Sequence, residues 1–228
     1  TPPLIMKAVA METIQVWYPP SEWTHIYTDG SAVGASSNAG TGVYCHAFQL
    51  SVPVGRLASN FDGEVTAIKL ALEAVSKEPW TKIVLLIDSQ GAIQSIANPG
   101  ISGDETVECC KDLADSLIRQ GRVLVLQWIP SHCDIPGNES ADMLAKGSSN
   151  MQQPNKRISL RTAKRVANES FQGMQMQHMR TCSEGKRWST LCDPQTRLPS
   201  NLSRQCAVAC FRLATGHDYL NKHLHKIG

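Results

Sequence analysis

Lys82-Ile-Val-Leu-Leu-Ile-Asp88 is the stretch that decides the predicted fold. Its uninterrupted aliphatic residues are typical of a strand covered on both faces, as strands inside α/β sheets are. The run ends in an acid, Asp88, and ligands bind at the carboxyl ends of strands in open α/β sheets. The stretch therefore predicts a central strand that delivers a carboxylate to a binding site.

Before this strand the pattern predicts an antiparallel meander of three strands and then a helix. Alternation of polar and apolar residues indicates the strands, and a cap at Ser59 or Asn60 indicates the start of the helix. We expect the first strand to break into a turn at Gly30-Ser31. The expected ranges are 25–29, 40–50 and 51–58 for the strands and 59–77 for the helix.

Beyond the central strand the sequence predicts two helices, another buried strand and a last helix that Asn138 can cap. Pro99, Gly100 and Gly103 separate the first two helices. The resulting order, βββαβααβα, indicates a mixed sheet with helices on both faces. The expected ranges are 90–97 and 105–120 for the two helices, 122–129 for the strand and 138–146 for the last helix.

Four acids lie where simple packing would favour an apolar side chain. Asp29 and Asp88 end strands, and Asp142 lies on the last helix. Glu64 precedes Ile68 by one helical turn and shares its face. The helix dipole also favours an acid at this position, but the inward direction of Glu64 favours a functional role.

Four carboxylates from strand ends and helix starts would form an oxygen-rich site suited to Mg²⁺ or Mn²⁺. Two such ions, roughly 4 Å apart, can activate a water and stabilise the leaving oxygen in phosphodiester cleavage. Without metal, the clustered acids repel one another. We therefore expect raised pKa values in the empty site and tighter ion binding as the pH rises.

Four motifs, in one order, resemble those of the type 1 ribonuclease H family over residues 24–149. They are Tyr27-Thr-Asp-Gly-Ser31, Glu64 opening its helix, Ile87-Asp-Ser-Gln90 and Trp128-Ile-Pro-Ser-His-Cys-Asp-Ile-Pro-Gly-Asn-Glu-Ser-Ala-Asp142. The resemblance implies an α/β fold whose mixed five-stranded sheet has the order 3-2-1-4-5 and is flanked by helices. It also implies a two-metal endonuclease that cuts the RNA strand of RNA/DNA hybrids and identifies it largely by its 2′-hydroxyls.

The resemblance also implies roles for individual residues. His132 would be the mobile histidine that assists proton transfer or product release, although a solvated loop histidine is the simpler explanation outside this motif. The metal ligands would be Asp29, Glu64, Asp88 and Asp142. The nucleic-acid contacts would be Gly30, Ser31, Ser59, Asn60, Gln90 and Asn138, the last of which is also explained by helix capping.

Charge divides the chain into two parts. Residues 1–150 hold 9 basic and 16 acidic residues, a net charge of −7, whereas residues 151–228 hold 13 basic and 4 acidic residues, a net charge of +9. A basic tail indicates a polyanion partner or only a solvated surface. We expect it to be mainly helical, with helices to about Arg180 and at 203–214, a loop around Gly185 and Pro194, and an apolar face of Leu220, Leu224 and Ile227.

The end of the chain carries a second resemblance. Arg212-Leu-Ala-Thr-Gly-His-Asp-Tyr-Leu-Asn-Lys-His-Leu224 is similar to the segment that follows ribonuclease H in the polyproteins of some non-LTR retrotransposons. This similarity implies a position downstream of a reverse transcriptase. The expected division is a linker segment at 1–23 containing a short helix between Ile5 and Trp17, a ribonuclease H domain at 24–149 and a basic extension at 150–228.

The cysteines and the hydropathy indicate an intracellular protein of the cytoplasm or nucleus. The eight cysteines are irregularly spaced, which favours free thiols over a disulfide framework. Cys206 and Cys210 lie near His217 and could bind zinc, but two small thiols on a core-facing stripe explain them better. No apolar run reaches the roughly 18 residues of a membrane span, and we expect no membrane partner.

Two rival interpretations follow from the same residues. One is a catalytically silent hybrid-binding or scaffolding module derived from a retroelement, which the intact set of acids disfavours. The other is a different nuclease or an integrase of the same superfold, which Asp142 and the His132 loop disfavour.

We predict that residues 24–149 alone bind a hybrid more weakly than the whole chain. Between Asp88 and Glu105 there is no tryptophan-rich basic insertion of the kind that some cellular relatives use to hold the DNA strand. A salt titration of hybrid affinity tests this, with circular dichroism as the control for folding of the fragment. Near-equal affinity of a folded fragment and the whole chain would contradict it.

Overall fold

The structure, a computed structural model, describes residues 2–155, 157–186, 189 and 201–215. It divides the chain into two compact units, Thr1–Lys164 and Arg165–Gly228. In chain order the elements are α1 (Pro3–Trp17), β1 (Thr24–Val33), β2 (Ser37–Tyr44), β3 (Gln49–Gly55), α2 (Asn60–Val75), β4 (Lys82–Ile87), α3 (Gln90–Ala97), α4 (Glu105–Arg119), β5 (Val123–Trp128), α5 (Pro136–Ser149), α6 (Leu160–Ser183) and α7 (Arg204–Thr215).

A five-stranded mixed sheet forms the centre of the first unit, with the order β3-β2-β1-β4-β5. The first three strands pair antiparallel, whereas β1, β4 and β5 run parallel. The predicted α/β class and the predicted order 3-2-1-4-5 are therefore confirmed. In the parallel pair, Thr28 lies opposite Ile87, so Asp29 within β1 and Asp88 just after β4 lie side by side at the carboxyl end of this ladder.

The central strand β4 is covered on both faces, as its apolar run predicts. Ile83, Leu85 and Ile87 point into a core shared with α2, α3 and α4. Val84 and Leu86 point into a second core on the other face, which α1 helps to form. Each of these side chains is fully buried, and each contributes roughly 1.5–3 kcal/mol to folding. Burial on both faces holds the carboxyl end of β4 in a fixed position.

The helix expected between Ile5 and Trp17 is α1, which begins slightly earlier, at Pro3. A proline suits the first turn of a helix because its missing N–H would have no helical partner there. Ala10 and Ile14 are the buried residues of α1 and pack on the second core. The N-terminal helix is therefore part of the first compact unit.

The turn predicted at Gly30-Ser31 is wrong, because β1 continues through both residues to Val33. The chain turns at 34–36 instead, where Gly34 has a positive φ of 58°. Gly30 has a different purpose: the start of α2 lies so close to it that a Cβ would collide with the helix backbone. A glycine required for close approach and one required for a turn look alike in a sequence.

The predicted division between the second and third strands is also wrong. The ranges 40–50 and 51–58 place the break too late, since the turn between β2 and β3 lies at 45–48. Cys45 and Phe48 exchange backbone hydrogen bonds of 2.9 and 3.3 Å there. Apolar residues continue through this turn, so the hydropathy pattern does not mark it.

The remaining predicted elements match the structure within a few residues. Ser59 caps α2 as expected, and α3 has the predicted bounds. In the basic tail the two expected helices are α6 and α7, and Gly185 has a positive φ of 71°. The predictions for Pro194, His217 and the apolar face of Leu220, Leu224 and Ile227 fall outside the described residues. Across the part of the chain that the structure describes, no helix has the length and apolar character needed to cross a bilayer.

Two glycines of β2 allow α5 to lie directly against the sheet. A Cβ on Gly42 would collide with the carbonyl oxygen of Ala141, and one on Gly40 would collide with the backbone of Ser149. Backbone atoms cannot move aside as the end of a flexible side chain can. The packing of α5, which carries Asp142, therefore depends on these glycines.

We predict that Gly42→Ala lowers the free energy of unfolding by at least about 2 kcal/mol, because overpacking forces the backbone to shift. Urea unfolding followed by circular dichroism measures the change. Gly103→Ala is the control, since nothing lies within 4 Å of its added Cβ, and it should change stability by less than about 0.5 kcal/mol. Equal stability of the two variants would contradict the prediction.

Candidate active site

Three of the four predicted metal ligands meet at the carboxyl edge of the sheet. One carboxylate oxygen each from Asp29, Glu64 and Asp88 lie within 4.8 Å of one another. Asp29 is 6% exposed and Glu64 is 4% exposed. The spatial convergence that the sequence predicts is therefore confirmed for these three acids.

The backbone around Gly30 brings the acids together. Asp29 and Asp88 follow a residue pair of the parallel ladder between β1 and β4. Glu64 joins them because the first turn of α2 packs on Gly30, where an added Cβ would meet the backbone of Gly63 and Glu64. The backbone of Gly30 acts on the carboxylates of both Asp29 and Glu64 and opposes the rise in their pKa values. A single glycine thus fixes the separation of two of the acids.

A capping box fixes the start of α2 and hence the position of Glu64. The N–H and the hydroxyl of Ser59 donate to Asp62 Oδ2 at 2.7 and 2.8 Å, and the N–H of Asp62 donates back to Ser59 Oγ. The N–H of Asn60 donates to the carbonyl of Ala35 at 3.0 Å. Ser59 and Asn60 therefore have structural roles, and their contact with nucleic acid stays a prediction.

Asp142, the fourth acid, lies beside the other three but outside their 4.8 Å group. Its proximity to Asp29 is one of the causes that raise the pKa of that acid. Its Oδ2 also accepts a hydrogen bond of 2.6 Å from Lys146, one helical turn further along α5. An ion held by Asp142 would compete with this lysine.

Asn138 lies inside the first turn of α5 and does not cap it. The N-cap residue is Ile135, which makes no side-chain capping bond, and a proline opens the helix. The predicted capping role is therefore wrong. Asn138 is 3% exposed, and its Nδ2 donates to Asp88 Oδ2 at 3.4 Å. The residue orients the carboxylate of Asp88.

His132 lies exposed in the loop before α5, with a positive φ of 51°. Cys133 and Ile135 are buried and anchor this loop. The charge of His132 opposes the rise in the pKa of Asp88, so this histidine lies within electrostatic range of the acid. Gln90 is exposed in the first turn of α3, and Ser31 is half-buried in β1.

The model of the RNase H family matches residues 21–150, which is more than half of the chain. The chain belongs to the RNase H family. It is thereby assigned to a family of nucleic-acid-binding hydrolases that normally use divalent metal ions.

The chain is similar to solved structures from different sources. RNase H1 from the halophilic archaeon Halobacterium salinarum is 24% identical, with a TM-score of 0.46, and the match covers 55% of this chain and 96% of that one. LC11-RNase H1, isolated from compost, is 23% identical, with a TM-score of 0.47 and coverage of 57% and 96%. The protease-reverse transcriptase of a foamy virus, solved with dsDNA, is 21% identical, with a TM-score of 0.45 and coverage of 56% and 94%.

Burial dominates the electrostatics of this RNase H site. The pKa of Asp29 is raised to about 8, mainly by burial and also by the charges of Asp88 and Asp142. Burial also raises the pKa of Glu64 well above its ordinary value. The pKa of Asp88 is raised as well, although Asn138 and His132 oppose this shift. The expected direction is confirmed for these three acids, but burial exceeds mutual repulsion as its cause.

The residues present fit a divalent cation. Glu64 Oε2 is buried and has no hydrogen-bond partner among the described residues, a costly state for a polar atom unless something binds it. Three carboxylates supply the oxygen ligands that Mg²⁺ and Mn²⁺ prefer. Within the described ranges the metal-binding group contains no imidazole or thiolate, so the donor set does not favour zinc.

Two contacts with the acids, made by Lys146 and Trp128, are not predicted from the sequence. Lys146 follows Asp142 by four positions on a helix, and this spacing is a sufficient signal for an ion pair. The indole N–H of Trp128 donates to the backbone carbonyl of Asp88 at 3.0 Å. This second contact depends on the pairing of β4 with β5, which places Trp128 opposite Ile87, and no local pattern indicates it.

We predict that the metal-free protein loses stability as the pH rises. The unfolded chain releases the Asp29 proton near pH 3.8, whereas the folded chain holds it to about 8. Between these values the folded state binds more protons, so the free energy of unfolding falls across this window. Thermal unfolding in EDTA measures the change. Because metal binding requires ionised carboxylates, Mg²⁺ should raise the melting temperature by at least about 2 °C more at about pH 8 than at about pH 5.5.

Asp29→Asn should flatten this pH dependence and stabilise the metal-free protein near pH 8, because its amide has no proton to release. Asp112→Asn makes the same change on the exposed face of α4 and should leave the dependence intact. The same pH slope in both variants would contradict the assignment of the effect to the buried acids.

Proposed function

We propose that this protein is a metal-dependent endonuclease that hydrolyses the RNA strand of RNA/DNA hybrids. The observation that carries the proposal is the meeting of Asp29, Glu64 and Asp88 within 4.8 Å, inside the residues that match the RNase H family. An orphaned oxygen of Glu64 at this point supports an occupant of positive charge. Simple packing does not account for two buried acids and a half-buried one whose oxygens lie within 4.8 Å of one another.

Asp29, Glu64 and Asp88, with Asp142 as the fourth ligand, would hold two Mg²⁺ ions, for which Mn²⁺ can substitute. When bound, the ions activate the attacking water and stabilise charge on the leaving oxygen. The chain supplies the positioning. Gly30 and the capping box hold the first two carboxylates in place, and Asn138 orients the third.

His132 is proposed to move a proton during hydrolysis or product release. Its exposed position in an anchored loop, with its charge acting on Asp88, supports this role. An imidazole can both donate and accept a proton, as general acid–base catalysis requires.

Contacts to the hybrid are proposed at the rim of the acid cluster. Gln90 is exposed beside Asp88, and Ser31 is half-buried beyond Asp29 on β1. The hydroxyl of Ser59 is occupied by Asp62, and Asn138 is buried against Asp88. The geometry of Ser59 therefore favours a role in positioning α2 over contact with the substrate. That of Asn138 likewise favours a role in positioning Asp88. Gly30 and Asn60 are proposed contacts too, although the N–H of Asn60 is already bonded to the carbonyl of Ala35.

The biological setting is proposed from the two sequence resemblances. We infer that residues 24–149 form the nuclease domain of a non-LTR retrotransposon polyprotein, entered through 1–23 and followed by the basic extension 150–228. A reverse transcriptase domain upstream would make the hybrid that this site removes inside the cell. The similarity of Arg212-Leu-Ala-Thr-Gly-His to the segment that follows ribonuclease H in such polyproteins supports this setting.

The proposal predicts that the chain cuts a labelled RNA/DNA hybrid in the presence of Mg²⁺ and leaves single-stranded RNA and duplex DNA intact. Asp88→Asn should reduce the rate by at least about 10²-fold, because it removes a charge that fixes the ions at the reacting centre. Asp112→Asn is the matched control and should cut at the native rate.

Cutting that survives Asp88→Asn unchanged would defeat the proposed mechanism. Tight hybrid binding by the native chain without cutting would instead support the silent binding module. Titration of Mn²⁺ in place of Mg²⁺ provides a second check, since both ions suit the same oxygen ligands.

A further inference from the structure

The start of α6 lies outside the residues that match the RNase H family, yet it is joined to the helix that carries Glu64. Thr162 is 3% exposed, and its hydroxyl donates to Asp62 Oδ2 at 3.2 Å. The same carboxylate oxygen accepts the two hydrogen bonds from Ser59 that cap α2. One carboxylate therefore connects the first turns of α2 and α6.

The first turn of α6 has its own cap, which fixes the direction of the residues that follow. The N–H of Thr162 donates to Ser159 Oγ at 3.1 Å, and the hydroxyl of Ser159 donates to Thr162 Oγ1 at 3.1 Å. These residues and Lys164 belong to the compact unit Thr1–Lys164. The hydrogen bond between Thr162 and Asp62 thus lies within one compact unit.

Arg161 is held beside the first turn of α2 by an aromatic ring. Its guanidinium carbon lies 4.0 Å from the centroid of the Phe61 ring. The same ring faces α3, since it would lie 3.9 Å from a Cβ on Gly91. Gly91 is in the first turn of α3, which begins two residues after Asp88. One ring therefore separates Arg161 from the helix that follows the third acid.

Arg161 and Lys164 are exposed and three positions apart, so they share one face of α6. Neither forms an ion pair within the described ranges, whereas Arg165 pairs with Glu169. A hollow of about 410 Å³ opens between these two cations and the loop 102–104, and Asp104 lines it as well. Two positive side chains thus face an open surface that holds one acid.

We propose that Arg161 and Lys164 bind the phosphate backbone of the nucleic-acid duplex whose RNA strand enters the acid site. This inference rests on the proposed function and adds a binding surface from outside the family region. Stacking on Phe61 occupies one face of the guanidinium and leaves its edge donors free for phosphate oxygens. The first turns of α2, α3 and α6 meet here, and their dipoles add positive potential.

The test is made on the full chain with a double variant, Arg161→Ala/Lys164→Ala. The KM for a labelled hybrid should rise about 10-fold with kcat unchanged within about twofold, because the removed contacts bind the substrate without touching the reacting atoms. The slope of the logarithm of hybrid affinity against the logarithm of salt concentration, measured in EDTA, should decrease by about 1.8, since each lost phosphate contact removes about 0.9.

The matched control is Lys77→Ala/Arg119→Ala. It removes the same two charges from exposed positions at or just beyond the C-terminal ends of α2 and α4. The helix α2 is roughly 24 Å long, so Lys77, just beyond its end, is far from the first turn that contacts α6. This variant should keep the native KM and salt slope.

Two further variants separate charge from packing. Arg161→Lys keeps a cation over Phe61 and should retain most of the native affinity. Lys164→Ala leaves the stacking of Arg161 intact and should lose about half of the salt effect. Melting temperatures within about 2 °C of the native chain are expected throughout.

The outcomes distinguish this inference from the proposed function. If the native chain cuts the hybrid but the double variant matches its control in KM and salt slope, the binding surface is overturned and the nuclease stands. A loss of kcat at unchanged KM also overturns it, because that result indicates a purely structural role. If the native chain binds but does not cut, the nuclease is overturned, and the salt slope still decides the surface.

Discussion

Contact between the backbone of β1 at Gly30 and the first turn of α2 is the constraint on which the site depends. It leaves no room for a side chain at position 30. It also places Glu64 beside Asp29, although the repulsion between the two carboxylates opposes this arrangement. Asp88 then joins them through the register of β1 and β4. The energy for holding three acids together comes from the two cores that fix these elements, since the acids themselves oppose it.

Neighbouring groups reduce the electrostatic cost of placing the three acids together, but they do not remove it. Asn138 and His132 favour the ionised form of Asp88, and the backbone of Gly30 does so for Asp29 and Glu64. Glu64 Oε2 nevertheless has no partner among the residues that the structure describes. A site that satisfied every oxygen with protein donors would be more stable but would leave no ligand for a cation. The carboxylate oxygens that would bind a cation therefore lower the stability of the metal-free fold.

The sequence predicts the fold closely because local pattern and packing agree in most elements. The uninterrupted run of β4 identifies the central strand, and its acid marks the functional edge. Two of the errors occur where one residue type serves two physical purposes, and the third, the division between β2 and β3, occurs where apolar residues continue through a turn. Gly30 fits a turn as well as a close approach, and Asn138 fits a helix cap as well as a hydrogen bond to Asp88. The link from Thr162 to Asp62 crosses 100 positions, so no local pattern contains it.

Segments outside the catalytic motifs complete the unit physically. The sequence motifs identify the acids of the candidate site. Buried residues outside the motifs hold in place the elements that carry those acids. Ala10 and Ile14 of α1 help to cover one face of β4, and Thr162 of α6 adds a hydrogen bond to the carboxylate that caps α2. A change in α1 or at the start of α6 can therefore reach the acids through β4 or Asp62 without touching them, because Asp88 follows β4 and Glu64 lies on α2.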